Sequence, residues 1–314
     1  MRSPDPVTGP AGPDPSARYL RAGIVACLAY ALVGWRGILV PSMIRSVEPF
    51  FGQDDAGIGL YFFATALAYG AGSLLGGRLI RRHGPRSVIP AAFGLMCAGL
   101  VLQGITGTWV VFAMLGVLVS LGASAADIGV NSLVLDLFPH ASGRAMNLLH
   151  VAYGVGALVA PLALAGIVGA GIAWQVPMLV SGLVAGAVAV AMAISVPGGR
   201  FHVDEVVESE DGRAVRGPLP RFLFVMAIAA GCYVAAEAGV SDWLVRYLAV
   251  LPIGVASTAL MLFWAGIAIG RIVFARIGAR LDPLRSAALL GPVGGVILLV
   301  ALVLPVSSLT PLLF

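Results

Sequence analysis

Apolar residues in this chain run in blocks too long for the core of a globular domain. Stretches without a charged residue cover 56–77, 87–126, 151–199, 247–270 and 286–314, and each reaches or exceeds the roughly 20 apolar residues that carry a helix across a bilayer. The two longest are long enough for two spans each. Breaking the pattern at Gly, Pro and charge clusters predicts nine helical spans, at 22–44, 56–79, 87–105, 108–137, 146–171, 174–196, 221–248, 254–279 and 286–306. A β-barrel does not fit, because its strands would alternate polar and apolar residues in short segments. After the ninth span Ser307 and Ser308 read as a turn, followed only by 309–314. At roughly 1.5 Å per residue such a segment cannot cross a hydrocarbon core about 30 Å thick. The expectation is therefore that the sequence stops at the start of a tenth span, with a nine-helix protein and a short interfacial tail as the alternative.

Composition agrees with this pattern. Of 314 residues 59% are hydrophobic and 11% charged, against roughly 25% charged in an ordinary soluble domain, so a soluble fold of this size could not cover its surface. The spans are rich in Gly and Ala, which let membrane helices approach closely. There is no lysine, and the arginines are unevenly placed. With the amino terminus inside, the cytoplasmic face collects Arg2, Arg18, Arg21, Arg78, Arg81, Arg82, Arg86 and Arg144, then Arg200, Arg213, Arg216, Arg221, Arg276, Arg280 and Arg285, leaving Arg45 and Arg246 outside. That asymmetry is the positive-inside pattern of a multi-pass protein of the cell membrane. The net charge of +4 thus reports topology and gives no reason to expect a nucleic-acid partner. Residues 1–19 lack the basic start and cleavage site of a signal peptide, so the first span is expected to stay attached. Cys27, Cys97 and Cys232 fall inside spans and read as small packing residues, with no metal site or disulfide framework.

Shifting the sequence by 198 residues lays Gly72 on Gly270, Arg78 on Arg276, Arg82 on Arg280 and Pro85 on Pro283, each set closing an apolar span and opening a basic turn. Six spans precede Pro197, and 198–220 is the one long polar segment, with Asp204, Glu205, Glu208, Glu210, Asp211 and three arginines. Parallel repeats of six spans around a polar linker resemble the two halves of major facilitator transporters. The expected organisation is a tail at 1–21, a six-helix lobe at 22–197, a cytoplasmic linker at 198–220, and an incomplete second lobe at 221–314. The fold class is an all-α membrane protein, a two-lobed helical bundle.

Two motifs extend the resemblance. The turn Gly77-Arg-Leu-Ile-Arg-Arg-His-Gly-Pro-Arg86 is similar to the signature loop of major facilitator proteins, Gly-x-x-x-Asp-Arg-x-Gly-Arg-Arg. Gly77, Arg82, Gly84 and Arg86 match, whereas Arg81 stands where the family has Asp; the resemblance implies that the cytoplasmic lock this Asp serves is altered or absent. The stretch Asp127-Ile-Gly-Val-Asn131, followed by Gly143-Arg-Ala-Met-Asn147-Leu-Leu-His150-Val-Ala-Tyr153-Gly154-Val-Gly156 and Pro161, resembles helices 4 and 5 of the fucose permease-like sugar:proton symporters. The seventh span, with Glu237 and Trp243, resembles the same group. Sugar transport by symport is what this similarity implies.

Charged residues inside spans carry the candidate chemistry, since each costs about 2.5–3.5 kcal/mol on insertion scales and so turns to the bundle interior or a wet cavity. Asp127 and Asn131 lie one turn apart on one face; they either line a polar cavity or bond neighbouring helices. Asn147, His150 and Gly154 form a stripe on the fifth span, reading as cavity lining or, for His150, as packing. Glu237 follows fifteen uncharged residues and has Ser241 one turn on. Low-dielectric surroundings favour the neutral form of a carboxyl, the property a proton-coupling site needs; the alternative is a permanent partner for Arg36 or Arg271. Asp127 and Glu237 are thus the proton-coupling candidates. Arg36 suits a carboxylate or phosphate on the substrate through two-point pairing, or an internal partner in Asp127 or Glu237. Trp35, Trp243 and Tyr153 offer flat apolar surfaces for a sugar ring, although Trp also favours membrane interfaces. Asp242 and Arg246 are expected nearer the outer end.

Enzyme signals are missing: no phosphate-cradling Gly-rich loop ahead of a Lys, no His pair at metal-ligand spacing, no Gly-x-Ser-x-Gly turn. The chain therefore reads as a carrier with no cofactor. Its expected partners are a small polar solute, a proton or sodium ion, and the bilayer; drug or metabolite efflux and a non-transporting fragment are the alternatives.

Overall fold

Among the described residues nine α-helices arise where the apolar blocks lie: α1 (Pro15–Phe51), α2 (Asp55–His83), α3 (Pro85–Ile105), α4 (Trp109–Leu137), α5 (Ser142–Gly169), α6 (Gln175–Ser195), α7 (Arg221–Tyr247), α8 (Ile253–Ile277) and α9 (Pro283–Val303), with a 3-10 turn at Pro139–Ala141. The computed structural model describes residues 15–196, 221–277, 283–304 and 306, and no strand occurs among them. Eight of the described helices are long and apolar enough to cross a membrane. The expected linker at 198–220, Arg2, Arg200, Arg213, Arg216 and Arg280, and the stretch 307–314 lie outside the described residues.

Chain breaks fall at residues whose chemistry dictates them. Asp54 caps α2 by accepting from the Gly57 amide at 2.8 Å, satisfying one of the free donors of a helix start. Gly84 separates α2 from α3 in a single residue with φ 78, a left-handed conformation that glycine adopts without strain, and Pro85 opens α3 where its missing N–H costs nothing. Pro41 and Pro49, in contrast, do not end α1. The span expected at 22–44 continues to Phe51, because neighbouring helices can make good the backbone bonds that proline breaks in a membrane helix.

The first six helices form one bundle in which α1 packs on α5, α3 on α4 and α6, and α2 on α4. The α1–α5 crossing is the tightest. A Cβ on Gly34 would strike the Tyr153 carbonyl, and one on Gly156 would strike that of Ala31, so the two backbones touch as small-residue packing allows. The next helices attach through two seams, α7 on α1 and α8 on α5. Those seams are apolar at one end of the molecule, where Ile44, Val47, Leu244, Val245, Leu248, Ala256 and Leu260 are buried together. Residues 223–236 of α7 are all exposed and the buried positions of α8 end at Trp264. The two groups of helices therefore meet at the end carrying Arg45 and Arg246 and part toward the end carrying Arg78, Arg82 and Arg144. Exposed Leu, Val, Ile and Phe, such as Leu60, Leu67, Leu74, Leu183 and Ile194, coat the outer faces, as lipid contact requires.

Candidate functional site

A cavity of about 260 Å³ sits where α1, α2, α3, α4 and α7 converge. From α2 comes a stripe, Tyr61, Thr65 and Tyr69, spaced by one turn on one face. Arg36 enters from α1, Gln103 from α3, Ser120 from α4 and Asp242 from α7. The Arg36 guanidinium donates to the Ser120 hydroxyl. Gln103, 1% exposed, donates from Nε2 to the Phe112 carbonyl at 3.0 Å and lies 3.5 Å from the Tyr61 hydroxyl, fixing one wall. Asp242 makes no hydrogen bond or ion pair with the described residues.

Beside this cavity Asp127 anchors a tightly bonded cluster. Its Oδ1 accepts from the Tyr30 hydroxyl at 2.6 Å and from Asn131 Nδ2 at 2.7 Å; its Oδ2 accepts from the Tyr69 hydroxyl at 2.6 Å. The Asn131 amide also reaches the Asp127 carbonyl at 2.8 Å and the Tyr30 hydroxyl at 2.9 Å. These short bonds join α1, α2 and α4. Tyr153 of α5 packs its ring on Tyr30 at 5.5 Å between centroids and on Trp264 of α8 at 6.1 Å, so it stands between the two groups of helices.

The remaining candidates are dispersed. His150 is exposed, with Nδ1 2.9 Å from the Met146 carbonyl and its ring edge-on to Tyr30 at 5.5 Å; Asn147 is exposed on the same helix. Both lie on the side where the helices part. Glu237 has a buried Oε2 without a hydrogen-bond partner and forms no ion pair with Arg36 or Arg271; Tyr233 lies beside both Glu237 and Arg271. Trp35 does not line the cavity: its Nε1 donates to Ser181 of α6 at 2.9 Å. Trp243 packs edge-on to Phe62 at 5.7 Å and lines a separate crevice with Leu298 and Leu302 of α9. Gly84 makes the α2–α3 turn; Arg81, Arg82 and Arg86 are exposed around it, and the Gly77 backbone faces Arg81.

Charges do pair at the closed end. Arg246 Nε is 2.7 Å from Glu48 Oε2 and 3.1 Å from Asp55 Oδ1, and Arg45 Nη1 donates to the Leu251 carbonyl at 2.9 Å. Each contact joins the first six helices to the segment from α7 onward. Sequence reasoning expected Arg246 and Asp242 nearer the outer end; Asp242, one turn before Arg246, also lines the cavity. Tyr30, Tyr61, Thr65, Tyr69, Gln103 and Ser120 were not among the sequence candidates. The one-turn spacing of Tyr61, Thr65 and Tyr69, and Gln103 alone in an apolar span, were the signals that could have found them.

The Major Facilitator Superfamily family model matches residues 22–314. The chain belongs to the major facilitator superfamily. This family of transporters accounts for the fold, and likeness to solved structures bears on the same point. The chain superposes on a bacterial homologue of the human lysosomal transporter Spinster, solved in an inward-facing and unoccupied conformation, with a TM-score of 0.69 and 16% identity, over 96% of this chain and 72% of that one. Against the occupied form the TM-score is 0.63 at 17% identity, covering 87% of this chain and 63% of that one. An uncharacterised MFS-type transporter of Bacillus subtilis, YfkL, is 27% identical over 137 residues. That alignment covers 42% of this major facilitator chain and spans about a third of the relative's length, 34%.

Proposed function

We propose that the protein is a secondary transporter that moves a small polar solute across the cell membrane by alternating access, driven by a proton gradient. The observation that carries this reading is the cavity that α7 shares with α1 to α4, lined by both Arg36 and Asp242. A site formed between two groups of helices is remade whenever they rock, which is how binding couples to opening in such carriers. Closure at the Arg246 end and separation at the arginine-rich end support a cytoplasm-facing state, with the amino terminus inside as the arginine bias implies.

Asp127 and Glu237 are our candidates for the proton. Asp127 sits between the cavity and the open side with its two oxygens held by separate helices, so protonation would weaken bonds that tie α1 and α2 to α4. Glu237 carries a buried oxygen with no donor, a place a proton can occupy. The polar groups around the cavity suit a charged or dipolar solute better than a neutral sugar, because Asn131 spends its amide on Asp127 and Tyr30 and Trp35 spends its indole N–H on Ser181.

Uptake into proteoliposomes, with labelled amino acids, organic acids, amines and sugars offered with and without a pH gradient of either sign, tests the reading. We expect accumulation of at least one polar solute that depends on the gradient, and its loss in Asp127→Asn or Glu237→Gln with binding retained. Gradient-independent behaviour in the wild type and both variants would remove the proton from the mechanism.

A further inference from the structure

Two opposite charges face one cavity and neither is spent on the other. Arg36 hydrogen-bonds to Ser120 and Asp242 bonds to none of the described residues, although the two are close enough to interact electrostatically. Each charge within a span costs about 2.5–3.5 kcal/mol on insertion scales. A fold that needed only neutralisation would close them into an ion pair, as Arg246, Glu48 and Asp55 close at the outer end. Here both line one space of about 260 Å³ without forming an ion pair. At roughly 30 Å³ of liquid per water, that is room for a solute of about nine non-hydrogen atoms.

We propose that this cavity binds a small zwitterion of the amino-acid type, its carboxylate on Arg36 and its ammonium on Asp242. A planar guanidinium matches a carboxylate with two parallel N–H donors, while the three N–H bonds of an ammonium suit a carboxylate that has no other donor. Most of the remaining lining is apolar, with Leu39, Val40, Phe62, Leu100, Val119 and Val234 among it, so the solute's body is small and apolar. Charge balance favours this class over single ions. With Asp242 ionised the pair sums to zero, and a zwitterion leaves that sum unchanged, whereas a simple acid or amine adds a net charge to a low-dielectric site. Arg36 belongs to α1 and Asp242 to α7, so one bound molecule ties together the two groups of helices that must close around it.

The inference rests on the transporter reading only in taking this cavity as the solute site. The test uses the purified full chain in detergent, with glycine, alanine, valine and leucine as probes, and for each its decarboxylated amine and its deaminated acid; glucose is the neutral control. Binding is read by thermal shift and by displacement of the labelled amino acid. We expect at least one amino acid to bind, its amine and acid to bind at least tenfold more weakly, and glucose not to compete. Asp242→Asn and Arg36→Gln, each shown monodisperse by size exclusion, should weaken amino-acid binding at least tenfold, with Asp242→Asn sparing the acid. Equal binding of the acid or the amine, no binding of any amino acid, or unchanged affinity in Asp242→Asn would overturn the proposal. Proteoliposome uptake separates the two levels: sugar or acid transport without amino-acid transport sinks the zwitterion and leaves the carrier standing, and no transport of any polar solute sinks the carrier.

Discussion

Asp127 reaches its partners from three helices, and that is what makes a carboxylate tolerable within an apolar span. The sequence marked Asp127 and Asn131 as neighbours on one helical face, because a spacing of four is visible in any helix. It could not mark Tyr30 and Tyr69, which lie 97 and 58 positions away along the chain. Interhelical hydrogen bonds in membranes contribute on the order of 1 kcal/mol. Tyr69→Phe and Tyr30→Phe should therefore each lower thermal stability by about that amount. In a double-mutant cycle the Tyr69→Phe loss should largely vanish in an Asp127→Ala background. Independent, additive losses would show that the bonds are not made. The same limit applies to Asp242, whose place near the outer end was legible but whose place in the cavity lining was not: which face of α7 looks into the cavity is set by how α7 lies on α1, and no residue of α7 alone encodes that.

Spans were the most legible elements. The expected 87–105 coincides with α3 (Pro85–Ile105) to within two residues at its start, since loss of apolar character and a Gly-Pro break leave little choice. The exception was α1, extended through Pro41 to Phe51, where tertiary neighbours overrode a local breaker. Packing between elements was legible only as a richness in small residues. The structure assigns the work to particular positions: of the two glycines in the same motif, Gly156 faces the Ala31 carbonyl of α1, while Gly154 has open space. Gly156→Val should therefore force α1 from α5 and abolish monodisperse protein on size exclusion. Gly154→Ala, with nothing to strike, should change the melting temperature little. Equal tolerance at both positions would contradict the crossing.

Across the whole molecule, the decisive feature is that one end is shut and the other parted. Arg246 holds Glu48 and Asp55 across the seam, and with Asp55 65% exposed the group contributes at most about 1 kcal/mol, roughly fivefold in the ratio of two conformations. Replacing Glu48 and Asp55 together by Ala should shift the population toward opening at that end. In a background with Cys27, Cys97 and Cys232 replaced by Ala, a cysteine at Phe62 should then react about fivefold faster with an impermeant maleimide added from the Arg246 side. An unchanged rate would mean the apolar seam alone keeps that end shut. What the sequence determined by itself was the solvent and the spans: in hydrocarbon the backbone must satisfy its own hydrogen bonds, so apolar blocks of this length have the helix as their structure whatever surrounds them. The tertiary structure alone decided which buried charges are spent on each other and which are left facing a cavity, because that depends on the relative rotation and depth of helices far apart in the chain, set by close contacts such as that of Gly34 with Tyr153.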